Sequence, residues 1–350
     1  MKKVLMVGPA RNVKGGMTTV VDNYFKYDLD KKVNLKYIET INDKNKVSKF
    51  LKEIKGMFEY YKSINNCDIV HIHMASRRST YRKGKYVKIA KKKNKKVIIH
   101  IHGGGFIKFY EDECTYKEQE KVRNILNSAD KIIVLSEEWK AYFERLIDKN
   151  KIIVIGNGTK IPQNFTKDVS NKDILYLGRI NKEKGIYDLL DAISILEKKY
   201  SNLSVVIGGT GEEKKVKSYI LKKNIKTEIK LLGWIDNNKK SEELKKCSYF
   251  ILPSYYEGLP MSLIEAMSFK CISIGTNVGG IPKVIDNNEN GLIIEPGKID
   301  QIVNAFEYCF NNKEIRIKLS ENARAKILKD FDIKTNINKT LAVYEEVMKD

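Results

Sequence analysis

Residues 174–185 read Ile174-Leu175-Tyr176-Leu177-Gly178-Arg179-Ile180-Asn181-Lys182-Glu183-Lys184-Gly185. An unbroken apolar run of this length suits a strand buried on both faces, and the glycine after it punctuates a strand-to-helix turn. The unit recurs in both directions. Downstream lie short apolar runs at 205–207, 229–232, 249–252, 271–274 and 292–294; upstream they lie at 4–7, 35–38, 69–72, 97–101, 132–135 and 152–155. Between them apolar residues recur at three- and four-residue steps, as in Val47, Phe50, Leu51, Ile54, Phe58 and Tyr61, with similar patterns over about 114–128 and 138–147. Strand alternating with helix implies right-handed crossovers and parallel sheets covered on both faces.

The alternation pauses at the polar stretch 162–172 and then restarts. The chain is therefore expected to be α/β, with two Rossmann-like doubly wound domains facing across a cleft. Residues 1–164 form the N-terminal domain and 165–330 the C-terminal domain. Beyond residue 300 only helical patterns remain, and the stripe Ile337, Leu341, Tyr344, Val347 predicts a final helix in 331–350 that returns to the first domain. At 350 residues and 42% hydrophobic content the chain can fill two cores, which excludes bulk disorder. No window approaches the ~18 uninterrupted apolar residues of a membrane span, and residues 4–7 are too short an apolar stretch for a signal peptide. A cytoplasmic protein is expected. Five cysteines, odd in number and without metal-clip or redox spacing, read as reduced thiols.

In open parallel sheets ligands bind at the carboxyl ends of strands, where glycines admit phosphate to backbone N–H groups and helix N-termini favour anions. The first half offers Gly8-Pro9 and Gly15-Gly16-Met17-Thr18. The second offers Gly178-Arg179, Gly208-Gly209-Thr210-Gly211-Glu212 and Gly233. Any one of these is explained by a tight turn; their recurrence at successive strand ends weakens that explanation. Arg179 can grip a pyrophosphate through its planar fork and Lys184 as a point charge, whereas Lys182 reads as solvated. The segment Pro253-Ser254-Tyr255-Tyr256-Glu257-Gly258-Leu259-Pro260-Met261-Ser262-Leu263-Ile264-Glu265-Ala266-Met267 places two acids eight positions apart. Proline suits the first turn of a helix, so a helix is expected over 260–268, with Glu257 in the loop before it and Glu265 on its second turn. An acid beside helix-start N–H groups can accept from sugar hydroxyls; an exposed Glu265 and a capping Glu257 are the plain alternative.

Taken in order, these residues resemble the retaining nucleotide-sugar glycosyltransferases of family 4, whose fold, GT-B, is two Rossmann-like domains around a cleft. The markers are Gly15-Gly16, His102-Gly103, Ser136, Asn157-Gly158, Gly178-Arg179 with Lys184-Gly185, Gly209 to Glu212, Leu232-Gly233-Trp234, the pair Glu257 and Glu265, and Gly279-Gly280-Ile281-Pro282 followed by Asn290-Gly291-Leu292. The resemblance implies transfer, with retention, of a sugar from a nucleotide-diphosphate donor, a UDP-sugar by preference. The acceptor would be a hydroxyl of a saccharide or a polyprenyl-diphosphate-linked glycan in polysaccharide or glycolipid synthesis. It implies that Gly16 admits the donor phosphate, that Arg179 and Lys184 neutralise the diphosphate, that Glu265 holds the ribose, and that backbone near Trp234 borders the base. Glu257 would bind donor-sugar hydroxyls, the Gly211 loop and the backbone of Gly258, Leu259, Pro260 and Met261 would face the donor, and His102 would meet the sugar near the reacting carbon.

The four histidines, His71, His73, His100 and His102, lie in two His-Ile-His strands. Without carboxylates or His-Cys spacing beside them, satisfied core histidines are the better reading than a metal site. His102 stands apart at a strand end, before Gly103-Gly104-Gly105. Asp28-Leu29-Asp30 imitates a D-x-D metal motif but falls in a polar connection. A helix dipole with Arg179 and Lys184 can serve instead, so no metal and no cofactor are expected.

The net charge of +21 is uneven, with 35 Lys and Arg against 18 Asp and Glu in residues 1–165. Residues 77–96 hold 11 basic residues and no acid, among them Arg77, Arg78, Arg82, Lys91, Lys92, Lys93, Lys95 and Lys96. An anionic membrane surface or lipid diphosphate acceptor would offset their repulsion, so the protein is expected on the inner face of the cell membrane, with a helix at 44–64 as a second contact. A solvated face is the plain alternative. Two other functions compete: a nucleotide-sugar epimerase or hydrolase on the same fold, and a nucleic-acid-binding protein. The last lacks a reading module and an aromatic platform, so no nucleic-acid partner is expected.

Overall fold

The computed structural model describes residues 1–43 and 45–349. Its contacts divide the chain into two units, Met1–Gly158 with Ile333–Asp350, and Thr159–Asp332. The breaks differ from the sequence boundaries at 164 and 330. Residues 159–164 and 331–332 join the second unit because Thr159 pairs in parallel with Asp332 and donates its N–H to Phe331 O at 2.9 Å. Composition carries no trace of that backbone pairing.

In the first unit β1 (Lys3–Gly8), β2 (Asn34–Glu39), β3 (Ile69–Met74), β4 (Lys96–Ile101), β5 (Lys131–Val134) and β6 (Ile152–Val154) form one sheet in the order β2-β1-β3-β4-β5-β6. Every pairing is parallel. The chain leaves β1 for one neighbour and returns past it to the other, so the helices Gly16–Lys26 and Lys46–Ser63 lie on opposite faces. The helix Ile333–Glu346 packs on the Gly16–Lys26 side, where Thr340 Oγ1 meets Tyr24 OH at 3.2 Å and Tyr344 OH meets His71 Nδ1 at 2.6 Å.

One sequence pattern faces the opposite way from a core stripe. The apolar residues that predict the helix Lys46–Ser63 point outward: Val47, Phe50, Leu51, Ile54, Phe58 and Tyr61 are 51–67% exposed. Its inner face is Gly56, Tyr60 and Ser63. Tyr60 donates to Tyr86 O at 2.9 Å, and Gly56 sits so close to β2 that a Cβ would approach Glu39 O to 2.4 Å. Position 44, where the sequence reading starts this helix, lies outside the described residues.

In the second unit β7 (Lys172–Leu177), β8 (Leu203–Gly208), β9 (Glu228–Gly233), β10 (Tyr249–Leu252), β11 (Ile272–Thr276) and β12 (Leu292–Ile294) form a parallel sheet in the order β12-β11-β10-β7-β8-β9. The order reverses between β7 and β10, which makes their carboxyl ends the switch point where doubly wound sheets take ligands. Among the described residues no helix is long and apolar enough to cross a membrane.

Candidate functional site

The switch point of the second unit collects the charged residues singled out from sequence. β7 ends at Leu177, and Tyr176 reaches over the following turn to donate to Arg179 O at 2.6 Å, leaving the Arg179 side chain exposed. Asn181 caps the short turn Lys182–Lys184, accepting from Lys184 N–H at 3.1 Å. Gly185 then turns with φ 68°, and a Cβ there would meet Pro253 O at 2.0 Å, so only glycine lets the β7 turn lie against the β10 turn. Across this contact Lys184 Nζ lies 2.6 Å from Glu257 Oε1 and 3.0 Å from Tyr256 O. Ser254 Oγ donates to the same Glu257 oxygen at 2.8 Å. The side chains are 22% and 11% exposed, a well-shielded ion pair rather than a surface one. Gly279, at φ 53°, closes the other side, with a Cβ there 2.0 Å from Glu257 O.

The helix Met261–Ser268 starts after Pro260, which has no side chain to cap it. Leu259, Pro260 and Met261 are buried at its mouth, so the positive end of the dipole stands beside the ion pair. Glu265 is buried, and Lys240 Nζ, from the helix Asn237–Lys246, lies 2.7 Å from both its oxygens. A carboxylate offers about four lone-pair sites, so the pair leaves capacity for two vicinal hydroxyls. Gly211 is held by a bridge to Ile180, with Glu212 N–H on Ile180 O at 2.7 Å, and Trp234 is 49% exposed after Gly233.

In the first unit β3 and β4 bring all four imidazoles to one face. His73 Nδ1 meets His102 Nε2 at 2.7 Å, and rings 100 and 102 lie 4.0 Å apart. Burial holds His71 and His102 down to about 3, and pushes His73 and His100 well below the usual imidazole range, so the cluster is neutral at physiological pH. The cluster corrects the reading of satisfied core histidines. His71 Nε2, His73 Nε2 and both His100 nitrogens have no hydrogen-bond partner among the described residues, because parallel strands stack the rings instead of pairing their edges. Ring nitrogens of His71, His73 and His100 lie within 4.8 Å of one another. Zinc with ligands at about 2.0 Å would hold such nitrogens about 3.3 Å apart.

The profile described as "Glycosyl transferases group 1" matches residues 157–326, and "Glycosyltransferase Family 4" matches 35–161. The chain belongs to the family 4 glycosyltransferases. Similar proteins include an uncharacterized glycosyltransferase of Haemophilus influenzae, 31% identical over 57% of this chain and 57% of the relative. Another is the Escherichia coli UDP-Gal:alpha-D-GlcNAc-diphosphoundecaprenol alpha-1,3-galactosyltransferase, 28% identical over 85% of this chain and 81% of the relative. The sucrose-phosphate synthase of Thermosynechococcus elongatus shares the fold, with TM-score 0.84 at 17% identity over the whole of both chains. Two Rossmann-like domains, the GT-B fold, follow.

For this glycosyltransferase the structure joins Lys184 to Glu257 and sets Arg179 and Glu265 on neighbouring turns of the same unit, while Gly16 and His102 belong to the first. Gly16 opens the helix Gly16–Lys26 after Gly15. The basic run departs from the sequence picture of an unmatched cationic face, because the fold supplies acids from elsewhere. Arg77 pairs with Glu113, Lys85 with Glu53 at 3.6 Å, and Lys91 reaches both oxygens of Asp130 at 2.9–3.0 Å. Lys95 donates to Asn65 O at 3.0 Å, and Lys96 and Arg82 are half-buried. Arg78, Lys92 and Lys93 remain exposed. Asp28 of the D-x-D imitation pairs with Lys31 at 2.9 Å on the surface.

Sequence reasoning missed Lys240, Ser254 and Lys83. Lys83 is fully buried, its Nζ 2.8 Å from Thr40 Oγ1, and burial pushes its pKa well down. It also missed that Cys247 and Cys271, distant in sequence, bring their sulfurs to 3.5 Å. Ser254 lies three residues before Glu257 in the same loop, whereas Lys240, Lys83 and the cysteine pair carry no local signature and depend on how distant segments pack.

Proposed function

We propose that this glycosyltransferase moves a sugar, with retention and without a metal, from a UDP-sugar to a hydroxyl of a polyprenyl-diphosphate-linked glycan at the inner face of an anionic membrane. The observation that carries the reading is the shielded Lys184–Glu257 pair at the switch point, beside Arg179. A lysine ammonium has three donors, and Glu257 and Tyr256 O engage two of them. The third is available to a diphosphate oxygen. As the glycosidic bond to the diphosphate breaks, negative charge grows on the leaving group; Arg179, Lys184 and the helix at Met261 meet it without reorganising. Glu257, fixed by Ser254, accepts from donor-sugar hydroxyls, and Glu265, fixed by Lys240, from the ribose pair. His102, neutral and held by His73, is suited to hydrogen-bond the sugar rather than to repel an oxocarbenium-like carbon. The name of the Escherichia coli relative, with its UDP-sugar donor and lipid diphosphate acceptor, supports the substrate classes.

Incubation of labelled UDP-sugars with and without polyprenyl-diphosphate-linked saccharides tests this. Label should enter the lipid phase only with acceptor, and persist in EDTA. Complete conversion of the free donor without acceptor would favour an epimerase, and loss in EDTA restored by added metal would remove the metal-free mechanism.

A further inference from the structure

We infer that the outer face of the helix Lys46–Ser63 is a membrane-insertion surface that lies flat in the interface of an anionic bilayer. The six exposed apolar residues, Val47, Phe50, Leu51, Ile54, Phe58 and Tyr61, fall within an arc of about 100° at the α-helical 3.6 residues per turn and run for about 21 Å. Gly56 and Tyr60 press the opposite side onto the unit's core. The helix thus turns Gly56, Tyr60 and Ser63 inward and leaves six large apolar side chains in water, the reverse of what a lone soluble domain requires. Contiguous exposed apolar surface of this kind marks a binding face.

The fringe of the stripe identifies the occupant. The exposed lysines Lys46, Lys49, Lys55 and Lys62 lie on this helix. Lys62 Nζ sits 4.5 Å over the Phe58 ring. The helix has two acids, both half-buried: Glu53, which faces Lys85 of the neighbouring helix Arg78–Lys92, and Glu59, which faces Lys55. That neighbour, tied on by Tyr60 to Tyr86 O, adds exposed Lys88 and Lys92 on the same face of the sheet. An apolar band with cations beside it matches a lipid interface, where acyl chains meet anionic headgroups. A second copy matches poorly, since a two-fold contact would set these lysines against each other. The basic run gives long-range attraction, and the Lys46–Ser63 stripe gives the hold. The inference serves the proposed lipid-linked acceptor, yet its test reads lipid binding and needs no turnover.

Flotation of the full chain with vesicles of phosphatidylcholine, with and without about one-third phosphatidylglycerol, supplies that test. Binding should require the anionic lipid and weaken with salt. Phe50→Ser with Leu51→Ser, Ile54→Ser and Phe58→Ser should lower affinity at least about ten-fold while leaving the unfolding midpoint and UDP binding unchanged. Lys46→Ser with Lys55→Ser and Lys62→Ser should bind more weakly than wild type at low salt and approach it at high salt, where the attraction of the lysines is screened. In a Phe50→Trp variant, emission should shift to the blue on anionic vesicles and be quenched by brominated acyl chains. Undiminished binding of the quadruple variant, no binding of wild type to anionic vesicles, or a wild-type dimer that the quadruple variant converts to monomer would each overturn the inference. Loss of UDP binding in wild type, with vesicle binding intact, would instead count against the enzymatic reading alone.

Discussion

Replacing Lys184 by Met, alone and together with Glu257→Gln, probes the pair on which the site is built. At the observed 2.6 Å and an effective dielectric near 20, the gross attraction is about 6 kcal/mol. Most of it is cancelled by the desolvation of two groups that are only 22% and 11% exposed. Breaking a fully buried pair costs about 3–5 kcal/mol and an exposed one about 0–1. This intermediate site should lose about 2 kcal/mol when Lys184 alone is removed, since among the described residues Ser254 Oγ is the partner left to Glu257. Glu257→Gln should cost less, because its amide oxygen can still accept from Lys184 and Ser254. The double variant should be more stable than the sum of the singles by about 1–2 kcal/mol, the coupling expected of residues in direct contact. Urea unfolding gives the four free energies. Turnover should fall about 100- to 1,000-fold in Lys184→Met, the usual consequence of removing one transition-state charge donor. Additive stabilities within about 0.3 kcal/mol, with wild-type turnover in Lys184→Met, would refute the pairing and its role together.

Lys240→Met strands the buried Glu265 carboxylate and should destabilise the second unit by about 3 kcal/mol, with Glu265→Gln in the same chain recovering part of the loss; differential scanning calorimetry reads both. Gly185→Ala puts a Cβ 2.0 Å from Pro253 O at a positive φ and should cost at least about 1–3 kcal/mol, an effect absent from Lys182→Ala on the exposed side of the same turn. Acid should loosen the first unit early. His71 binds its proton near 3 when folded against 6.5 when unfolded, so as pH falls below 6.5 the unfolded chain takes up protons that the fold refuses. By about pH 5 that difference removes about 2 kcal/mol, and His73 and His100 act in the same direction. The urea midpoint should therefore drop steadily from about pH 6.5 towards 4.5; a flat profile would mean that the imidazoles are charged or solvated in the folded state.

The strands were legible because parallel strands buried on both faces need unbroken apolar runs, and every run named from sequence falls on or overlaps a strand of the two sheets. The helix Met261–Ser268 was legible from Pro260, and burial of Glu265 overturned its exposed alternative. Three things were not legible. The helix Lys46–Ser63 shows that periodicity gives a helix but not which way its stripe faces; small Gly56 let the opposite side dock. Lys240 became the partner of Glu265 through the docking of two helices, which no spacing encodes. The basic run met Glu113, Asp130 and Glu53 only in three dimensions, so a charge tally along the chain overstated the free cationic face.

Binding of a nucleoside diphosphate by the second unit, through Arg179 and Lys184 with its ribose on Glu265, is the step on which the proposed transfer depends. Isothermal titration of the full chain with UDP, GDP and ADP tests it most directly, against uridine, deoxyuridine diphosphate and the variants Arg179→Ala and Glu265→Gln. Saturable binding of at least one diphosphate is expected. Removal of the phosphates or of Arg179 should weaken it at least about ten-fold, in keeping with charge-assisted hydrogen bonds, and removal of the 2′-hydroxyl should weaken wild type but not Glu265→Gln. Absence of binding by all three diphosphates, or equal affinities across the variants, would contradict the account.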